Sequence, residues 1–255
     1  MSSNDSVHCI PRSHSLGAIT TGTEMSKKLK NVVLRAPFEA LNEKQQVIAD
    51  TFLAKHQILI GSSGTGKTFT ALRLAVEQIV TQGSGFDQLV IVRSSVPTRD
   101  VGFLKGSLEE KMAVYESPYS EIINSITEPL SFSDHEVYAS NYDKMKAQGQ
   151  IHFVNTSYLR GLTFDNAIVF FDEAQSATFH EIDTLVTRTG LDSKLIIAGD
   201  YKQNDLRASQ SGLHDIIRVF DKMSSHFNII EFTPNDCVRS EFVRQYLMAK
   251  EELDL

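Results

Sequence analysis

Cysteine is almost absent from this chain. Cys9 and Cys237 stand far apart in 255 residues, with no metal-like spacing, so neither a disulfide framework nor a cysteine-rich zinc module is available and a reducing cytosol suits the composition. Long apolar runs are also missing; none approaches the roughly 20 residues that span a bilayer. Residues 1–23 are rich in serine and threonine and carry a single cation, Arg12, so the basic head and apolar body of a signal peptide are both lacking. Residues 1–35 are expected to form a flexible leader, followed by one domain over 36–255. Cations are outnumbered, with 25 Lys and Arg against 32 Asp and Glu and a net charge of −7. A protein that grips nucleic acid through a broad electrostatic footprint is usually basic. Any strand bound here therefore needs a local groove or pore with its own basic residues.

What is present starts with Gly61-Ser62-Ser63-Gly64-Thr65-Gly66-Lys67-Thr68. The segment fills the phosphate-loop pattern G-x-x-x-x-G-K-[ST], and its flanks are right. Ile58, Leu59 and Ile60 read as a buried strand running into it, and Ala71, Leu72, Ala75, Val76 and Ile79 recur at helical spacing over 69–80. Strand, glycine loop and helix together give the motif its mechanism. The glycines let backbone N–H groups turn inward around phosphate oxygens, and the helix N-terminus adds positive potential. Lys67 is expected on the β/γ-phosphates and the Thr68 hydroxyl on Mg²⁺.

About a hundred residues later, the apolar run Ala167-Ile168-Val169-Phe170-Phe171 ends in Asp172 and Glu173. Such a run reads as a central strand of a parallel sheet, buried on both faces. Ligands of open α/β sheets bind at the carboxyl ends of the strands, where these two acids fall. Asp172 is expected to hold Mg²⁺ through water, because that ion keeps much of its hydration shell. Glu173 is expected to polarise or orient the attacking water.

Strands are also expected at 89–92, 151–154, 195–198 and 228–232, with helices at 43–53, 178–189, 212–223 and 240–250. This alternation implies βαβ units with right-handed crossovers. The fold class is α/β, a RecA-like P-loop NTPase with a mainly parallel sheet between helices. Residues 93–150 are too long for a crossover and read as a mainly helical insertion. Two amphipathic stretches, 107–115 and 121–126, stand out there, punctuated by Gly102, Gly106 and Pro118.

Three finer signals surround the loop. Gln45, in Leu41-Asn42-Glu43-Lys44-Gln45, carries an amide that can pair with both N6 and N7 of adenine, which favours ATP. Gln203, in Gly199-Asp200-Tyr201-Lys202-Gln203, can touch the γ-phosphate or its attacking water. Arg239 follows the last strand and is the candidate finger that neutralises transition-state charge.

Taken together, LNxxQ, GxxGTGKT, DEAQ, GDxxQ and the late arginine resemble the ATPase motifs of superfamily 1 helicases. Closer still, the chain resembles PhoH-like ATPases. Val92-Arg93-Ser94-Ser95-Val96-Pro97, then Gly102-Phe103-Leu104-Lys105-Gly106-Ser107-Leu108, is similar to that family's T-R-P…G-F-L-P-G-D-L segment. Tyr158-Leu159-Arg160-Gly161-Leu162-Thr163 resembles its M-R-G-R-T box, and Asp172-Glu173-Ala174-Gln175 and Thr187-Arg188-Thr189-Gly190 match D-E-A-Q-N and L-T-R-x-G. The chain departs at Ser62 and Ser63, at Lys105 in place of proline, and at Leu162 in place of arginine.

The resemblance implies Mg²⁺-dependent ATP hydrolysis by a homo-oligomeric ring, plausibly a hexamer, with Arg239 close to an ATP at a subunit interface. It also implies an RNA or single-stranded DNA partner and a cytoplasmic setting. Arg93, Arg99, Lys105 and Arg160 are the cations expected to face such a strand in a pore. Two other classes stay open. One is a nucleotide-dependent oligomeric switch without unwinding; the other, a small-molecule kinase, lacks the arginine-rich lid usual at this size.

Overall fold

The computed structural model describes residues 32–94, 108–200 and 212–253. Six runs rich in Ile, Val, Leu and Phe become strands: β1 (His56–Gly61), β2 (Gln88–Arg93), β3 (Ile151–Asn155), β4 (Ala167–Phe171), β5 (Lys194–Gly199) and β6 (Phe227–Phe232). They pair in parallel throughout, in the order β3-β2-β4-β5-β1-β6. A parallel sheet needs cover on both faces, and the side chains divide accordingly. Ile168 and Phe170 of β4 join one core with Ile48, Leu72 and Ile91. Ala167, Val169 and Phe171, the alternate residues, join the other core with Ile60, Val92 and Ile182. The two-residue period of a strand thus feeds two cores from one unbroken apolar run.

The first core is covered by α1 (Glu43–Thr51), α2 (Lys67–Val80), α3 (Leu108–Ile126) and α5 (Asn141–Ala147), and the second by α6 (Phe179–Val186) and α7 (Leu213–Asp221). A short α4 (Phe132–His135) lies between α3 and α5, and α8 (Glu241–Glu252) follows β6. Among the described residues, no helix is long and apolar enough to cross a membrane.

Two expectations change. The insertion does not break at Pro118: α3 is one helix of 19 residues that carries the proline inside it. Proline lacks the N–H that would reach back four residues, to Val114. Both positions are exposed, so water can satisfy the freed carbonyl, while Tyr119, Ile123 and Ile126 bury the opposite face. The folded body also begins earlier than residue 36. Val32 is buried, Glu128 N–H donates to the Val33 carbonyl at 2.7 Å, and Arg35 Nε donates to the Thr127 carbonyl at 2.6 Å.

Strand order sets the site. β1, β4 and β5 lie side by side, so the loops leaving their carboxyl ends converge. These are the phosphate loop, the two acids, and Gly199-Asp200.

Candidate nucleotide site

The phosphate loop owes its shape to glycine. Gly61 has φ +116°, and a Cβ there would lie 1.9 Å from the Phe232 carbonyl oxygen of β6. Gly66, at φ +84°, opens α2 in the left-handed region that glycine tolerates. The loop is held from outside as well. Ser62 N–H donates to the Phe232 carbonyl at 3.3 Å, and Val238 N–H to the Gly64 carbonyl at 3.0 Å. Thr65 is buried and its hydroxyl donates to the Ser62 carbonyl at 2.9 Å.

Lys67 folds over this loop, donating to the carbonyls of Gly61 at 2.6 Å and Ser62 at 2.7 Å. Burial lowers its pKa, while Asp200, Asp172 and Glu173 pull the other way. The ammonium thus feels three carboxylates while its close hydrogen bonds go to neutral carbonyls. Thr68 points to the acids, donating to Asp172 at 3.1 Å (Oδ2) and 3.3 Å (Oδ1).

Asp172 is buried at the end of β4. Burial first, and then the neighbouring Glu173, push its carboxyl up to about 6, against Arg93 and the hydrogen bonds from Tyr119 and Thr68. The next residue, Glu173, has φ +54°, a left-handed backbone that non-glycine residues adopt at a cost and that clusters at functional sites. Its Oε2 accepts from Gln175 Nε2 at 2.5 Å, and Gln175 Oε1 accepts from the Asp200 N–H at 3.0 Å. Gln175 therefore locks the acid after β4 to the end of β5.

Together these groups line a cavity of about 400 Å³, with Lys67, Thr68, Asp172, Glu173, Gln45 and Arg239 among its lining residues. Gln45 is buried, and its amide is already engaged: Nε2 donates to the Thr65 carbonyl at 3.0 Å and Oε1 accepts from the Leu41 N–H at 2.9 Å. It braces the loop from behind, and a Cβ at Gly66 would lie 2.6 Å from its Nε2. Arg239 lies over Gly64 of its own chain, its Cγ 3.1 Å from where a Cβ on that glycine would be. Arg93 is half-buried beside the acids and donates to the Tyr119 hydroxyl at 3.3 Å. Arg160 is exposed, in the turn after the short helical segment Thr156–Tyr158. Gln203, Arg99 and Lys105 lie outside the described residues.

Two contributors escaped the sequence reading. Gln175 stood in the DEAQ segment without a role; an amide two residues after the second of two acids closing a buried strand was the available signal. Tyr119 lies 53 residues from Asp172, to which its hydroxyl donates, and no local pattern marks it. The donor set suits a hydrated hard cation: one hydroxyl and one carboxylate, both oxygen. Among the described residues no cluster of three or more His, Cys, Asp or Glu could hold a metal by itself, so water would complete the shell.

A family model for PhoH-like proteins matches residues 38–251. The chain is 29% identical over 232 residues to a PhoH-like protein of Synechocystis sp., covering 90% of this chain and 66% of that protein. It is 31% identical over 218 residues to Protein PhoH of Escherichia coli, covering 84% of this chain and 58% of the relative. The chain therefore spans roughly three fifths to two thirds of the length of these curated relatives. Among solved structures, the large terminase of a thermophilic bacteriophage in complex with ADP is similar, with a TM-score of 0.50 at 13% identity. That likeness covers 82% of this chain and 49% of the terminase, and at such identity it speaks to fold alone.

Proposed function

The chain belongs to the PhoH-like protein family, and from that premise we propose that it hydrolyses ATP with Mg²⁺ and couples turnover to binding or unwinding RNA or single-stranded DNA. One observation carries the hydrolytic part. Lys67, Thr68, Asp172 and Glu173 come from two separate strand ends yet line one cavity, with Thr68 hydrogen-bonded to Asp172. The phage terminase holds ADP on a similar fold, which supports a nucleotide as the occupant.

The residues divide the work. Lys67 exchanges the carbonyls of Gly61 and Ser62 for β/γ-phosphate oxygens, replacing neutral acceptors with anionic ones so that both partners carry charge. Mg²⁺, when bound, neutralises phosphate charge; Thr68 directly and Asp172 through water would hold it. Glu173, fixed by Gln175, orients the water that attacks the γ-phosphate. Arg239 offsets the charge that develops there. Gln203 is proposed as the group that senses the γ-phosphate, and Gln45 as the amide near the base. The assembly is proposed to be a cytoplasmic homo-oligomer, a hexameric ring.

Turnover measured by phosphate release, with and without RNA or single-stranded DNA, tests the reading. Stimulation by either polymer is expected. Glu173→Gln should keep ATP bound while hydrolysis stalls by about 100-fold or more, as for loss of a positioned base. Equal turnover in parent and variant would remove Glu173 from the mechanism. A second reading, an ATP-dependent switch without unwinding, draws support from Arg93, which is half-buried, donates to Tyr119 and interacts with Asp172 and Glu173. Hydrolysis that no nucleic acid stimulates would favour it.

A further inference from the structure

Tyr119 is 1% exposed and sits on α3, far from the phosphate loop in sequence. Its hydroxyl donates to Asp172 Oδ2 at 3.0 Å and accepts from Arg93 Nη1 at 3.3 Å. The Arg93 guanidinium in turn lies 5.5 Å from the ring centroid of Tyr115, one turn earlier on the same helix. Thr68 reaches the same carboxylate from the phosphate loop. Asp172 is thus held from two sides, by the nucleotide loop and by the insertion helix.

The chemistry of the hydroxyl makes this more than packing. The phenol is buried between Arg93, whose guanidinium can only donate, and Asp172, so its own proton points to the carboxylate. A hydroxyl that accepts from a guanidinium is polarised and donates more strongly to its own acceptor. A carboxylate with two free oxygens could rotate about its Cβ–Cγ bond. Here Oδ2 is pinned by the phenol, and that fixes the face Asp172 turns to Thr68.

We propose that Tyr119 is a positioning residue for the cation-side carboxylate, holding Asp172 in register with Thr68 and tying that register to α3 and, through Arg93, to the end of β2. The proposal rests on the reading of Thr68 and Asp172 as the Mg²⁺ side of the site. Groups in this outer position orient the ligand they touch, and their loss costs about 10–100-fold in metal affinity or activity.

The experiment is Tyr119→Phe, which keeps the ring and its packing against Phe153 (centroids 5.7 Å apart) and removes only the hydroxyl. A fluorescent ADP analogue is titrated onto the full chain, without divalent metal and then at increasing Mg²⁺. Metal-free affinity is expected to match the parent, while the Mg²⁺ concentration giving half the metal-dependent gain rises about tenfold, the lower end of the outer-shell range. Tyr142→Phe is the control. That tyrosine is also buried and donates to Glu116 Oε1 at 2.7 Å within the insertion, so its loss costs a similar hydrogen bond away from the site. A parent response to Mg²⁺ that Tyr119→Phe leaves unchanged, or a shift no larger than that of Tyr142→Phe, overturns the proposal alone. A parent with no Mg²⁺ response at all overturns the reading of the site and the proposal with it.

Discussion

Lys67 is the cation of the phosphate loop, half-buried over the loop's own carbonyls. Its ammonium is satisfied by two loop carbonyls at 2.6 and 2.7 Å, and burial lowers its pKa. Burial outweighs the pull of Asp200, Asp172 and Glu173 on this charge, so a phosphate gains more from this lysine than from a solvated one. Lys67→Ala is expected to weaken binding of a fluorescent ATP analogue at least about tenfold, the value of one charge-assisted hydrogen bond, and to abolish phosphate release. The melting temperature should hold or rise, because the buried charge goes with it. Unchanged hydrolysis would sink the assignment. Residue identities were legible here because the loop pattern is local in sequence. Residue states were not. Gln45 was readable as an amide near the site, but its engagement with Thr65 and Leu41 depends on how α1 docks behind the loop. Arg93 was readable as a cation; that Tyr119 would claim it depends on a helix that begins fifteen residues later.

At the scale of elements, legibility tracked burial. β4 is readable to the residue, since an apolar run enclosed on both faces has nowhere to be ambiguous. α3 was not, because Pro118 is a breaker by local chemistry and tertiary packing overrides it. The amino end of β5 holds a feature that no pattern flags. Lys194 is 4% exposed, donates to the Lys55 carbonyl and lies 5.0 Å from the Phe52 ring centroid. Burial lowers its pKa to about 7. The folded state then binds fewer protons than the unfolded chain between about 7 and 10.5, so stability rises with pH across that window. Below it the ammonium is charged in both states and its full burial cost remains. Lys194→Met, close in volume, removes that cost at the loss of one hydrogen bond and one ring contact. The variant is expected to melt above the parent at pH 7, with the difference shrinking toward pH 10; each kcal/mol gained is worth roughly 2–4 °C in a chain of this size. The neighbouring His56 gives an independent check. Its pKa is lowered to about 4 by burial first and then by Lys194 and His226, so its share of stability is lost as pH falls from 6.5 to 4. Removing the Lys194 charge should move that loss to a narrower window. Parallel melting curves across pH 4–10 would expose either failure.

On the scale of the whole molecule, the open matter is whether one chain makes a complete site. Superfamily 1 translocases, whose motifs this chain resembles, place ATP between two RecA-like lobes; the described residues form one such sheet, and the resemblance to PhoH-like ATPases implies a ring with Arg239 close to an ATP at a subunit interface. The segment that carries Arg239 is fastened to its own loop. Asn42 Nδ2 donates to the Asp236 carbonyl at 2.8 Å, Val238 N–H to Gly64 at 3.0 Å, and the arginine lines its own chain's cavity. That anchoring favours action in cis even inside a ring. Arg239→Ala should lower hydrolysis by about a thousandfold or more if it serves as a finger, and Glu173→Gln should stall it separately. Mixing the two variants then separates the geometries, provided differently tagged subunits first prove that they co-assemble. In trans, a Glu173→Gln chain lends its intact arginine to a neighbour with an intact acid, and activity returns at those mixed sites. In cis no chain holds both groups, and the mixture stays at the average of its components, which is the expected result. Recovery above that average would place the arginine in the neighbour's site and show that the contacts to Gly64 and Asp236 open on assembly. Light scattering with and without ATP supplies the mass on which both outcomes depend, because a chain that remains monomeric while hydrolysing ATP makes its site alone and removes the ring from the proposal.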